Sequence, residues 1–502
     1  MDDFSQSRDL TVYGLFRQAA GLGPERVAIE WRGRTWSYAD LLGSVDRLAS
    51  ELAARGIGRG DRIAVLCENR PGFLRLILAA AALGAIVACQ NTRQRPREMQ
   101  HCLDLVGPSL VMVSERHRPL VDALDLRGVP VEVVEDWPAA AAPPAPSTPF
   151  ADVRPADPLL LIYTSGTTGL PKAAAISHAA EIARMAVVRM DLGTRAGDAM
   201  IAWAPMFHIG GTDQSLAALM TGGPVVVIDG FDVPALVDAL GRHQAGWLLL
   251  VPGAIEPLLD ALEASPAGVK GVRSVGCMAD LVPAALVART TRVFDAPFLN
   301  SFGMTETGLP PLSADLIPVG TLPSVLSKRL NSLCEFRLVD PDGREVEPGA
   351  VGEGAVRGPT LFNGYWNAPQ ANAESFADGF FRMGDLFRRT ADGGYDFVDR
   401  ARYLIKCGGE NIYPAEIERV LLADPRVADA VVVRKPDARW GEVPVAFIAR
   451  LDGSLDEAAV EALCRDALAG YKRPRDVRFV PFEEFPRSTS GKILRHEMEK
   501  RL

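Results

Sequence analysis

The chain has 502 residues, too many for one compact core, so at least two domains are expected. Apolar residues make up 48% and charged residues 23%, and the net charge is −9, which excludes a basic face for nucleic acid or an anionic membrane. Seven scattered cysteines without a CxxC pair exclude a disulfide framework and a zinc site. Together with the polar, acidic opening MDDFSQSRDL, which lacks the pattern of a signal peptide, they predict a cytoplasmic protein.

In chain order, YADLLGSVDRLASELAARG is an amphipathic helix and DRIAVLC an apolar strand. FLRLILAAAALGAIVA carries Arg75 and is too short to span a bilayer, so it reads as a buried helix running into a strand, with no membrane insertion. Helix–strand alternation of this kind predicts parallel strands covered by helices. WPAAAAPPAPSTP, residues 137–149, is too proline-rich to pack and is expected to be a surface linker. PVVVIDG and AGWLLLVP are buried strands of a second α/β region. From about residue 320, FRLVDPDGREV and GEGAVRG predict a small antiparallel sheet or barrel. The last hundred residues form a further α+β unit: a helix begins near Pro414, ADAVVVRK and VPVAFIARL are strands, and DEAAVEALCRDALAGY is a helix.

The densest chemical signal is YTSGTTGLPK at 163–172, with two glycines, four serine or threonine hydroxyls and a lysine. Such a loop brings backbone N–H groups close to an anion, most often phosphate. It is not a Walker A loop, because Ala173 follows Lys172 where that motif needs a serine or threonine for magnesium.

YTSGTTGLPKAAAISH resembles the phosphate-binding signature of the adenylate-forming superfamily, which includes acyl-CoA synthetases, peptide-synthetase adenylation domains and luciferases. PMFHIGG (205–211), NSFGMTET (300–307), FFRMGDLFRR (380–389), DRARYLIKCGGENIYPAEIE (399–418) and PRSTSGKILR (486–495) follow in the family's order. The resemblance implies a large N-terminal domain, residues 1–400, of two α/β subdomains plus a small β-barrel. A small mobile α+β lid, residues 401–502, follows it. It also implies that ATP activates a carboxylic acid to an acyl-adenylate, and that coenzyme A then displaces AMP.

By this resemblance Thr164, Ser165, Gly166, Thr167, Thr168, Gly169 and Lys172 cradle the β- and γ-phosphates, and Glu306 holds Mg²⁺ with the Thr164 hydroxyl. Phe302 stands where the family's tyrosine stacks on adenine. Gly276, Asn300, Ser301, Gly303, Met304 and Thr305 complete the nucleotide pocket, although Cys277 and Met278 depart from the usual small residues. Asp385 takes the ribose hydroxyls and Arg400 contacts ribose and phosphate. Lys492 bridges the acyl carboxylate and the α-phosphate, while Arg495, His496, Lys500 and Arg501 are read as a solvated terminal face. The pivot position is Arg402, where aspartate or lysine is usual. After rotation Lys406, Gly408, Gly409 and Asn411 serve the thiol step. His208 gates the acyl pocket and thiol tunnel.

Taken singly, these residues have plainer explanations: Glu306 as a helix-terminal acid, Phe302 and His208 as core, Lys492 as a surface charge. The small, apolar run HIGGTDQSLAALMTGG offers no arginine for a second carboxylate, so a monocarboxylic acid with an apolar body is expected. Three alternatives stay open: loading of a carrier-protein thiol, selection of an amino acid by Asp213, and a non-catalytic nucleotide-binding homologue. A homodimer is also left open.

Overall fold

The computed structural model describes residues 10–134, 152–164, 170–266, 268–407, 410–487 and 493–502, so the linker expected at 137–149 lies outside the described residues. Contacts divide the chain into two compact units, Met1–Glu335 with Arg357–Gly379, and Phe336–Val356 with Phe380–Leu502.

In the larger unit a six-stranded sheet runs in the order Val131–Val133, Leu110–Val113, Arg62–Leu66, Ile86–Cys89, Pro158–Thr164, Lys172–Ser177. The first five strands are parallel and the last is antiparallel to its neighbour. Parallel strands covered on both faces read as continuous apolar runs, as LVMV, IVAC and LLLIY do here. The helix Pro71–Leu83 between two of them is buried along its whole length, as its sequence, apolar but for Arg75, requires.

A second sheet has the order Arg34–Ser37, Val27–Trp31, Val225–Val227, Met200–Ala202. A third has Ala245–Leu249, Val272–Cys277, Phe298–Asn300, Leu316–Ile317, and a parallel bridge between Ala199 and Ala245 joins the two. One side chain ties the first sheet to the second. Asn69, just past the strand Arg62–Leu66, lies buried with its amide nitrogen 2.8 Å from Ala204 O, 3.0 Å from Ile228 O and 3.2 Å from both Ala202 O and Trp203 O. Its amide oxygen accepts from Met206 N at 2.8 Å. The segment leading to His208 is thereby pinned from below.

The smaller unit contains the expected antiparallel sheet, with Glu335–Val339, Val351–Arg357, Phe380–Arg389 and Tyr395–Arg400 in pairing sequence. A second sheet has Glu410–Ile412, Ile405–Cys407, Gly441–Arg450 and Val427–Asp437, with Asp476–Phe479 parallel to Gly441–Arg450. The helix Pro414–Leu422 starts on its proline and, with Glu457–Ala467, packs on one face through Ile417, Leu421, Val460 and Cys464. Phe485 and Met498 cover the other face.

Compactness does not break at residue 400. Asp399 accepts a hydrogen bond from Ala415 N at 2.8 Å, so the end of the antiparallel sheet is fastened to the start of the helix Pro414–Leu422. All seven cysteines are free and six are buried. Among the described residues no helix is long and apolar enough to cross a membrane.

Two stability predictions follow from these contacts. Asn69→Ala leaves several buried backbone groups without partners and is expected to cost about 2–3 kcal/mol. Urea unfolding checks this, and a loss below about 0.5 kcal/mol, the level of an ordinary surface substitution, contradicts it.

The second concerns His178, whose Nδ1 accepts from Val12 N at 3.3 Å and whose pKa burial lowers to about 4. A histidine near 6.5 in the unfolded chain then binds more protons there than in the fold, so stability falls as pH drops from about 6.5 to about 4. The loss from this one group between pH 7 and 5 should be about 2 kcal/mol. His178→Gln should remove that increment from the pH dependence of the unfolding midpoint; an unaltered slope rejects the assignment.

Candidate active site

The strands Pro158–Thr164 and Lys172–Ser177 bring Thr164 opposite Lys172 at the mouth of the expected phosphate loop. Ser165, Gly166, Thr167, Thr168 and Gly169 lie outside the described residues. Next to Lys172–Ser177 runs the segment 363–366: Asn363 N donates to Ala175 O at 2.7 Å, Ala175 N to Gly364 O at 3.0 Å, and Trp366 N to Ala173 O at 2.8 Å. Tyr365 on that segment turns its ring to Lys172, whose ammonium stands 4.8 Å from the ring centroid. The Tyr365 hydroxyl donates to Glu306 Oε1 at 2.7 Å, and Phe362 N donates to Glu306 O at 2.8 Å. Burial, reinforced by the Glu306 charge, pushes the phenol's pKa up, so it stays a proton donor. Glu306 itself is buried, at 4% exposure.

Past this corner the expected purine residues sit at the ends of two parallel strands, Val272–Cys277 and Phe298–Asn300. Asn300 is fully buried. Its amide oxygen accepts from Ala279 N at 3.1 Å and Lys328 Nζ at 3.0 Å, and its nitrogen donates to Leu326 O at 2.9 Å. It shapes the wall through these three bonds. Lys328, with no exposed surface, also pairs with Asp280, so the GCM departure adjoins a buried charge pair. Burial pushes the Cys277 thiol up to about 12. Ser301 N donates to Cys277 O at 3.1 Å, and Phe302 N to Ser313 Oγ at 2.7 Å. Gly276 and Gly303 have a steric reason to be glycine: an added Cβ would stand 2.5 Å from Leu299 O and 2.1 Å from Gly308 O, respectively. Met304 N lies 3.3 Å from Thr307 Oγ1, and Thr305 O accepts from Arg184 at 3.1 Å.

His208 caps the helix Ile209–Met220, its ring 4.7 Å from that of Phe207. Burial lowers its pKa to about 4, with Arg93 adding to the effect, so the imidazole is neutral at pH 7. Asp213, one turn on, is buried and accepts from Arg184 Nη1 at 3.1 Å. The remaining Arg184 donors reach Thr360 O at 3.0 Å and Thr305 O at 3.1 Å. Asp213 is thus committed to a guanidinium and is not a receptor for a substrate ammonium. Arg184 is equally committed and offers nothing to a second carboxylate.

In the smaller unit Asp385 and Arg400 are direct cross-strand partners, joined by an ion pair of 3.2 Å, with Asp385 at 2% exposure. Lys406 and Asn411 face each other across the hairpin of Ile405–Cys407 and Glu410–Ile412; Gly408 and Gly409 lie outside the described residues. Arg402 sits in the short turn Ala401–Tyr403, its Nη2 donating to Tyr403 Oη at 2.7 Å. Lys492 lies outside the described residues; Arg487 and Ile493 pair in an antiparallel bridge. Arg495 departs from the solvated face expected of it. It is buried and forks onto Glu418 at 2.6 and 3.0 Å, which anchors the terminal helix.

The donor set fits magnesium. Glu306 and Thr164 offer hard oxygens of the kind magnesium takes, and among the described residues no group of three or more His, Cys, Asp or Glu could hold a metal unaided. An ion that takes most of its shell from phosphates and water suits such a site. The site residues that sequence reading missed are Tyr365, Arg184 and Asn69. No local periodicity marks them, because each acts through partners far along the chain.

Residues 15–366 match the AMP-binding enzyme family, and residues 416–492 match the AMP-binding enzyme C-terminal domain. Indoleacetate–CoA ligase of Aromatoleum aromaticum is 36% identical, with 96% of each chain covered. Feruloyl-CoA synthase of an Amycolatopsis species is 34% identical, covering 96% of this chain and 97% of that one. Among solved structures, o-succinylbenzoate CoA synthetase of Bacillus subtilis in complex with the acyl-adenylate OSB-AMP superposes with a TM-score of 0.85 at 28% identity over 98% of each chain. The same enzyme in complex with ATP and magnesium gives a TM-score of 0.84 at 28% identity, covering 97% of this chain and 99% of that one. The alternation of parallel α/β sheets, the antiparallel sheet and the C-terminal α+β part are those of adenylate-forming enzymes, and the chain belongs to the AMP-binding enzyme family.

Proposed function

We propose that the chain is an AMP-forming acid–CoA ligase. The observation that carries this reading is the corner where Lys172 and the buried acid Glu306 meet on the two sides of Tyr365. A cation and a metal-binding carboxylate so arranged suit a magnesium-bound polyphosphate. In the first step an oxygen of the substrate carboxylate bonds to the α-phosphorus of ATP, and the bond to the β-phosphate breaks to release pyrophosphate. In the second, the thiol sulfur of CoA bonds to the acyl carbon and AMP leaves.

Thr164, Ser165, Gly166, Thr167, Thr168, Gly169 and Lys172 hold the β- and γ-phosphates. Glu306 and Thr164 would hold Mg²⁺, which would supply charge neutralisation for the pyrophosphate. Gly276, Asn300, Ser301, Phe302, Gly303, Met304 and Thr305 form the purine side, with Phe302 offering a π-face. Asp385 and Arg400 take the ribose. His208, being uncharged, lines the acyl and thiol path without capturing the substrate carboxylate by ion pairing. Residues 1–400 carry the acid and ATP sites, and residues 401–502 act as a lid turning at Arg402, a turn that has to release the bond between Asp399 and Ala415 N. The lid presents Lys492 for adenylation and Lys406, Gly408, Gly409 and Asn411 for thioester formation.

The partners are a monocarboxylic acid and CoA. All the assigned groups lie on one chain, so a homodimer is not needed for the chemistry. Free thiols suit the reducing cytoplasm.

Pyrophosphate release measured over a panel of fatty, branched, alicyclic and aromatic acids, with and without CoA, tests the reading. CoA-dependent thioester from at least one acid is expected, and none from any acid rejects it. Thioester found only on an acyl-carrier protein would replace the thiol acceptor.

The lid yields the sharper prediction. Lys492→Ala should slow pyrophosphate release about 10²-fold or more, as loss of one charge stabiliser in a dry site does. Given presynthesised acyl-AMP, the same variant should form thioester at the wild-type rate. Arg402→Pro should do the reverse, because proline fixes φ and blocks the turn, so adenylate accumulates. Equal loss of both half-reactions in both folded variants excludes an alternating lid.

A further inference from the structure

We propose that Tyr365 is a positioning residue for magnesium-dependent nucleotide binding. Its hydroxyl fixes the metal carboxylate of Glu306, while its ring fixes the ammonium of Lys172. The proposal rests on the ligase reading above and adds a residue to it.

Tyr365 is held on every side. Its backbone N–H donates to Asn372 Oδ1 at 2.7 Å, and its carbonyl accepts from Asn372 Nδ2 at 2.9 Å. Its ring meets that of Phe362 edge-on at 4.9 Å, and Phe362 stacks on Phe376 at 5.6 Å. On one side its segment pairs with the strand that begins at Lys172, and on the other Phe362 bonds to the backbone of Glu306. One aromatic side chain therefore spans the phosphate strand and the metal-acid loop, which are 134 residues apart in sequence (306 − 172).

Two contacts do separate work. The O–H donor stabilises the ionised carboxylate and limits its rotation, as an outer-shell partner does for a metal ligand. The ring's negative face holds the ammonium near the phosphate mouth before nucleotide arrives.

Calorimetric titration with AMP and with a non-hydrolysable ATP analogue, in magnesium and in chelator, tests the proposal. Tyr365→Phe keeps the ring and removes only the hydroxyl. It should weaken magnesium-dependent binding of the analogue about tenfold or more, in the range of outer-shell losses. Binding of AMP, and of the analogue in chelator, should be unchanged. Glu306→Gln should lose the same magnesium-dependent increment, and adding Tyr365→Phe to it should cost nothing further. Tyr365→Leu should also weaken the analogue in chelator, because Lys172 loses its ring.

Three outcomes would overturn the proposal: wild-type behaviour of Tyr365→Phe, equal weakening of all ligands, or additivity with Glu306→Gln. Failure of the wild-type chain to bind the analogue under any condition would instead overturn the ligase reading, and the proposal with it.

Discussion

A guanidinium with almost no access to water holds the reaction corner of the larger unit in place. Arg184 is 1% exposed, and its donors divide among the Asp213 carboxylate, the Thr305 carbonyl and the Thr360 carbonyl. A buried cation is tolerated only when its donors are satisfied, and removing one partner of such a set commonly costs about 3–5 kcal/mol. The three acceptors belong to the helix after His208, the loop before Glu306 and the segment leading to Tyr365. A shift in any of them would strand charge in the core. The second acid beside Arg184, Glu181, has its pKa raised by burial and by Asp213, which favours its neutral form beside the Arg184–Asp213 pair. The placement of Glu306 is thus enforced from inside the protein.

The wall expected to face the purine follows the same rule with a different pair. Lys328 and Asp280 neutralise each other beneath Asn300, whose amide is spent on the wall. Cys277 and Met278, out of pattern in sequence, adjoin this buried pair, which is split over 48 positions. In the smaller unit, Asp385 and Arg400 form an ion pair across one sheet, and Arg495 with Glu418 staples the terminal helix.

Local pattern was readable wherever it determined structure. FLRLILAAAALGAIVA became a wholly buried helix and strand, and Pro414 begins its helix, because periodicity and first-turn geometry are short-range properties. Glu306, Asp385 and Arg400 could be singled out only through their motifs, since an isolated acid or arginine carries no signature of its role. Tyr365, Asn69 and Arg184 went unseen, with partners 59, 135 and 121 residues away. Arg495 was misread for the same reason: it stands in a basic terminal run, and its carboxylate partner lies 77 residues upstream. The continuity of packing past residue 400 rests on Asp399 and Ala415, a contact that no change of composition announces.

The enclosed cysteines have a chemical consequence on the proposed ligase reading, in which the co-substrate is itself a thiol. A thiolate attacks disulfides; a thiol kept protonated does not. Burial pushes Cys102 and Cys277 up to about 12 and Cys334 up to about 11, and six of the seven are enclosed. Kept protonated, Cys102, Cys277 and Cys334 are poor nucleophiles toward a disulfide form of such a co-substrate. Close packing around sulfur thereby supplies chemical silence, a property distinct from the stability that the same packing confers.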